Sequence, residues 1–235
     1  MKIMVINPNS SEEMTNHIRK VLENIKRPET ELIVTCPDKG PIAIESAYDE
    51  TIAAFYSLDL VKRANKENFD AIVIACFSDP GIVSLKEISD ILVVGIQEVS
   101  LHVASMLGHK FTILTPSLKR IPSKYNDVWR TKLPFNLASV RELGMTVTET
   151  EEKPDLAQKN ILEVAKKAVE EDGAEVIIIG CAGMAGYAEV VEKKLNIVVI
   201  DPTLVAFKYT EAMVEAGIKQ SKRALYAHPA EKEYK

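Results

Sequence analysis

Cysteine is scarce in this chain: Cys36, Cys76 and Cys181 are the only three in 235 residues. An odd count with no C-x-x-C pair argues against a disulfide framework. The four histidines are scattered, which leaves zinc ligation without a spacing to rest on. There is no P-loop and no glycine-rich dinucleotide turn, so activity is expected to need no nucleotide, metal or other cofactor. No apolar run approaches the roughly 20 residues of a membrane helix. The opening MKIMVINPNS breaks at Asn7-Pro8, too early for a secretory signal, and the chain is read as cytoplasmic. Net charge is −5 with no basic stripe, which makes nucleic acid an improbable partner.

What the chain has is alternation. Short apolar runs are expected as strands at 2–7, 31–36, 71–76, 91–95, 111–115, 139–142, 176–181 and 197–200. Amphipathic helices are expected at 11–25, 50–65, 82–88, 98–107, 118–129, 156–171, 187–194 and 204–216. Strands that are apolar throughout, each followed by a helix, point to parallel sheets covered on both faces. The predicted class is α/β, in two similar halves related by a pseudo-twofold axis with the site in the cleft between them. At an offset of 105 residues, DAIVIAC (Asp70–Cys76) overlays EVIIIGC (Glu175–Cys181), and LVVGI overlays IVVID. The predicted division is 1–97 plus about 204–225 for the first domain and 98–203 for the second. Residues 226–235 are expected to be a polar tail.

Both repeat cysteines fall at the carboxyl end of a predicted strand, where open parallel sheets place their sites. A lone cysteine there is most often core. The same position used twice favours chemistry, because two facing thiols give one substrate carbon a base on one face and an acid on the other. A free thiol is mostly protonated at neutral pH, so an activating environment is required. The S-D-P-G run is read as the start of the next helix, with Asp79 as N-cap and Pro80 first, which would favour an anion at Cys76. Cys36 lacks the small-residue loop and is read as structural. In INPNSSEEMT, Asn7 and Asn9 are expected to present amides at the cleft, and Ser10 with Glu13 to form a capping box. Thr115 is the second-half counterpart. GPIAIESAYDE (40–50) is read as a wall or lid.

Together INPNSSEEMT, GPIAIESAYDE, ACFSDPG and GAEVIIIGCAGMAG resemble the hydantoin racemase branch of the aspartate/glutamate racemase superfamily. The resemblance spans nearly the whole chain. It implies two α/β domains with the active site between them, and cofactor-independent racemisation by Cys76 and Cys181. It implies a hydantoin or allantoin ring held by loops around Asn7, Asn9 and Ser10, Ser78 and Asp79, Thr115, and Gly183 and Met184. Ser78 and Ser46 stand where that branch usually has glycine. The partner is expected to be a small hydantoin or ureide, with the chain a homo-oligomer.

Two alternatives stay open from the residues alone. One is another cysteine reaction on this scaffold, such as amino-acid racemisation, decarboxylation or cis–trans isomerisation of an acid. Those substrates need a cation, and the loops at both cysteines carry no lysine or arginine. The other is a small-ligand-binding module in which both cysteines are structural.

Overall fold

The computed structural model describes residues 1–232, so the last three residues of the expected 226–235 tail lie outside the described residues. The first sheet contains β1 (Lys2–Ile6), β2 (Glu31–Thr35), β3 (Ala71–Ile74) and β4 (Leu92–Gly95), in the order β2-β1-β3-β4. The second contains β5 (Phe111–Thr115), β6 (Leu137–Glu142), β7 (Val176–Ile179) and β8 (Val198–Ile200), in the order β6-β5-β7-β8. All pairings are parallel, and the repeat read from sequence becomes the same four-strand order twice. Every residue of β3 (AIVI) and of β7 (VIII) is buried, as central strands covered on both faces require.

The helices are α1 (Glu12–Glu23), α2 (Ala47–Lys66), α3 (Ile82–Ile88), α4 (Ile96–Leu107), α5 (Ile121–Arg130), α6 (Val147–Glu152), α7 (Pro154–Asp172), α8 (Ala188–Leu195) and α9 (Pro202–Glu215). Among the described residues none is long and apolar enough to cross a membrane. The last helix, α9, turns back and packs on α4, β3 and β4. Beyond it, Lys222 donates to the carbonyls of Lys86, Glu87 and Ser89 at 2.8 Å each, capping the end of α3. The short α6 went unpredicted because VTETEE offers no apolar stripe. Its signal was the capping box of Thr146 and Glu149, which the structure forms.

Three local expectations are corrected. The strands stop before the cysteines, because the last ladder contact of the first half is Ala75 N–H to the Ile6 carbonyl. The Cys76 carbonyl then turns to its own loop, accepting from Ser78 N–H at 2.8 Å and Asp79 N–H at 3.0 Å. The N-cap of α1 is Ser11, which accepts from Met14 N–H; Ser10 instead donates to the Gly40 carbonyl and pins the 40–50 loop. Asp79 does not cap α3, whose first turn follows Gly81. The Asp79 carboxylate reaches across to α4 and accepts from Gln97 N–H at 3.0 Å and Glu98 N–H at 2.8 Å.

That last contact explains Gly95, at the N-cap of α4. A Cβ there would lie 2.3 Å from the Asp79 carboxylate. Gly95→Ala should therefore destabilise the fold by about 1–3 kcal/mol, the usual cost of overpacking. Urea unfolding of Gly95→Ala in the wild-type and Asp79→Ala backgrounds tests this. The penalty should be smaller in the second background, and equal penalties would refute the clash.

Candidate active site

Parallel register sets the site. Ile6 pairs with Ile74 and Leu114 with Ile179, so both cysteines emerge two residues past the end of a central strand. Gly180 makes the second turn possible: its N–H donates to the Leu114 carbonyl at 2.7 Å, and a Cβ would stand 2.5 Å from that oxygen. Cys76 and Cys181 line one cavity of about 540 Å³, counting its open mouth. Asn7, Asn9, Ser78 and Thr115 line it too, as expected from sequence, and so do Ile44 and Glu45 of the 40–50 loop. Glu45 ties that loop to the other half by accepting from Val147 N–H at 2.7 Å.

The other expected residues are not on the cavity wall. Ser10 and Asp79 are held by the bonds described above. Met184 is fully buried in the second-half core. Gly183 lies behind Cys181, and the backbone N–H groups of Gly183 and Met184 favour its anion. Cys36 lies in a different surface cleft, with Thr35, Pro37 and Tyr56.

The polar groups on the wall differ in how they are used. Asn7 Nδ2 donates to Asn9 Oδ1 at 2.6 Å and Thr15 Oγ1 at 3.0 Å, so it braces the loop after β1. Thr115 Oγ1 is buried and makes no hydrogen bond among the described residues, which leaves it available to a ligand. Ser78 Oγ lies 3.4 Å from Cys76 Sγ.

Two cations on the wall were missed. Arg120 and Lys124 both line the cavity, so the expectation of no cation near either cysteine is corrected. They come from a distant segment, at and just before α5, four residues apart on one helix face. The available signal was the i, i+4 row Arg120–Lys124–Val128, in which basic residues take core-facing positions. Arg120 is ion-paired with Glu50, and Lys124 with Asp127 at 3.0 Å.

Burial pushes both thiols up, Cys181 to about 12. Ser78, Lys124 and Arg120 oppose burial at Cys76, while Glu50 adds to it. At Cys181 the opposition comes from backbone N–H groups, and nearby negative charge on Cys76 and Glu151 works the other way. Asp79 is raised to about 7 by burial and by Glu98, against its two backbone donors. Among the described residues no group of three or more histidine, cysteine or acidic side chains is arranged to hold a metal ion.

The chain matches a family model described as Asp/Glu/Hydantoin racemase over residues 3–210. It is 38% identical to a hydantoin racemase of Pseudomonas sp. over 235 residues, covering 100% of this chain and 94% of that one. It is 38% identical to a hydantoin racemase of Paenarthrobacter aurescens, covering 100% of each. Its structure superposes on an allantoin racemase from Klebsiella pneumoniae with a TM-score of 0.96 at 31% identity, covering 100% of this chain and 96% of that one.

Behind the Cys181 loop, Glu151 Oε1 is buried without a hydrogen-bond partner among the described residues. Burial, then Glu13 and Glu152, lift this carboxyl from its ordinary 4.5 to about 7. A carboxyl raised by folding holds its proton more tightly in the native chain. Its full contribution to stability is present below pH 4.5 and is lost as the pH rises through about 7. The group is only half-buried, so solvent screens part of the effect. Glu151→Gln should raise the urea midpoint at about pH 8 and change it little near pH 4. An equal change at both values would sink this account.

Proposed function

The chain belongs to the Asp/Glu/hydantoin racemase family, and from that premise we propose that it inverts C5 of a 5-substituted hydantoin or of allantoin, using Cys76 and Cys181 as paired base and acid. The observation that carries this reading is the pair of thiols on one cavity at equivalent ends of β3 and β7. Hydantoin C5 lies beside the C4 carbonyl. One thiolate removes the C5 proton, and the electron pair moves onto the carbonyl oxygen as an enolate. The opposite thiol then delivers its proton to the other face. One proton leaves and one arrives, so the ring is unchanged except in handedness, and the negative charge ends on the second cysteine. Such acid–base groups typically contribute about 10²–10⁴-fold each.

A neutral ring fits this cavity better than an amino acid or another carboxylate. The cations are present but matched: Glu50 neutralises Arg120, and Asp127 accompanies Lys124. A carboxylate substrate would have to compete with those partners. The unbonded Thr115 hydroxyl suits a ring N–H or carbonyl.

The test is loss of optical rotation and α-deuterium wash-in across a panel of hydantoins, allantoin, aspartate and glutamate. Cys76→Ser and Cys181→Ser should each abolish racemisation. Each should still exchange the proton of one enantiomer, and the two variants should prefer opposite enantiomers. If both exchange the same enantiomer, or either keeps full activity, the facing-pair mechanism is wrong. Cys36→Ser should keep most activity, because Cys36 lies outside the cavity. A loss as deep as that of Cys76→Ser in a folded variant would contradict the assignment.

A further inference from the structure

Lys124 is a charge buried at the site for which proton transfer between two thiols gives no task. Its side chain is 2% exposed. The nitrogen donates to the Phe77 carbonyl, to Gln97 Oε1 at 2.5 Å and to Asp127 Oδ2 at 3.0 Å. Three acceptors use all three N–H bonds of an ammonium, whereas a neutral amine would aim its lone pair at one of them. The geometry therefore fixes the charged form, although burial works against it. Two of the three partners belong to the machinery of Cys76. Phe77 follows it in sequence, and Gln97 N–H binds Asp79 from the same turn.

The charged groups acting on Cys76 are Lys124 and Arg120 on one side and Glu50 on the other, with the Ser78 hydroxyl as neutral donor. Glu45 is also on the wall, with one oxygen engaged by Val147 N–H. Of these charged groups Lys124 acts most strongly on Cys76, ahead of Glu50 and Arg120, which are paired with each other. Lys124 has its own carboxylate partner in Asp127, 3.0 Å away. The groups acting most on Cys181 are the backbone N–H groups of Gly183 and Met184, Cys76 and Glu151, with no cation among them.

We propose that Lys124 makes the thiol pair asymmetric: its ammonium places the resting negative charge on Cys76, which is the base of the free enzyme, while Cys181 rests as the thiol that donates. This rests on the two-thiol reading above. Lys124 is then a positioning residue that acts through Cys76 and through the turn it braces. After one inversion the charge sits on Cys181. A proton passing from the Cys76 thiol to the Cys181 thiolate resets the enzyme, and Lys124 drives that return.

The first measurement needs no substrate. The wild-type chain is alkylated with iodoacetamide over a range of pH, and modification at each cysteine is quantified by peptide mass spectrometry. Cys76 should react with the lower apparent pKa. Equal values, or a lower value at Cys181, would overturn the proposal even if racemisation depends on both cysteines. Failure of the two-thiol reading shows elsewhere, as racemisation that survives loss of Cys76 or Cys181, or as exchange of the same enantiomer by both serine variants. The second measurement compares Lys124→Gln and Lys124→Arg. Removing a cation raises the thiol it favours, so the acid limb of kcat/KM should move up by about 1–3 pH units in Lys124→Gln. Lys124→Arg should return it toward wild type. A purely structural lysine would lower kcat/KM equally at all pH, and that result would refute the proposal. If Lys124→Gln does not fold, the wild-type alkylation profile decides alone.

Discussion

Parallel pairing of each cysteine-bearing strand with the first strand of its half is the constraint on which the site depends. Ladder bonds carry β3 as far as Ala75 N–H and β7 as far as Gly180 N–H. Both chains must then leave the sheet at the same height, and the next residue in each is a cysteine. Because the strands are buried on both faces, a slip in register would expose apolar side chains or bury unpaired backbone groups. The rigidity of the sheet is thus passed to the thiols over only two residues.

A second constraint is that each exit turn must be tied to the helix after the next strand. Both halves use one buried carboxylate, placed differently. In the first half the turn supplies it, as Asp79, and the helix N-cap is Gly95 with room for it. In the second half the N-cap supplies it, as Asp201, which accepts from Thr203 and Leu204 N–H and from Gly186 N–H of the turn. Each carboxylate satisfies orphan N–H groups at a helix start and clamps a cysteine turn in the same contact. Asp79 has a φ of 45°, a left-handed backbone that this double attachment holds in place.

The repeat is symmetric in topology and asymmetric in charge. Cys76 faces a hydroxyl and cations, and Cys181 faces backbone N–H groups. The two serines that depart from the resemblance's usual glycines have separate tasks. Ser46 caps α2, accepting from Asp49 N–H at 3.2 Å. Ser78 stands beside the Cys76 sulfur. One is a matter of helix stability and the other of thiol environment.

Local pattern by itself determined the strands, eight of the helices, the repeat and the place of two cysteines just past equivalent strand ends. Buried parallel strands leave near-continuous apolar runs, and a duplicated motif is visible as an offset. It also pointed to Asn7, Asn9 and Thr115, which lie at or just beyond a strand end, while Ser78 came from the family resemblance; all four line the cavity. Tertiary structure decided the rest. Whether Asp79 capped the helix beside it or the one a strand away depended on φ at a single turn. Whether a lysine lay near Cys76 depended on how α5 packs, and Lys124 is 48 residues away in sequence. An amphipathic helix shows which face is buried. It does not show which buried position meets a carbonyl, an amide oxygen and a carboxylate at once, because those three partners come from Phe77, Gln97 and Asp127 and converge only when the chain is folded.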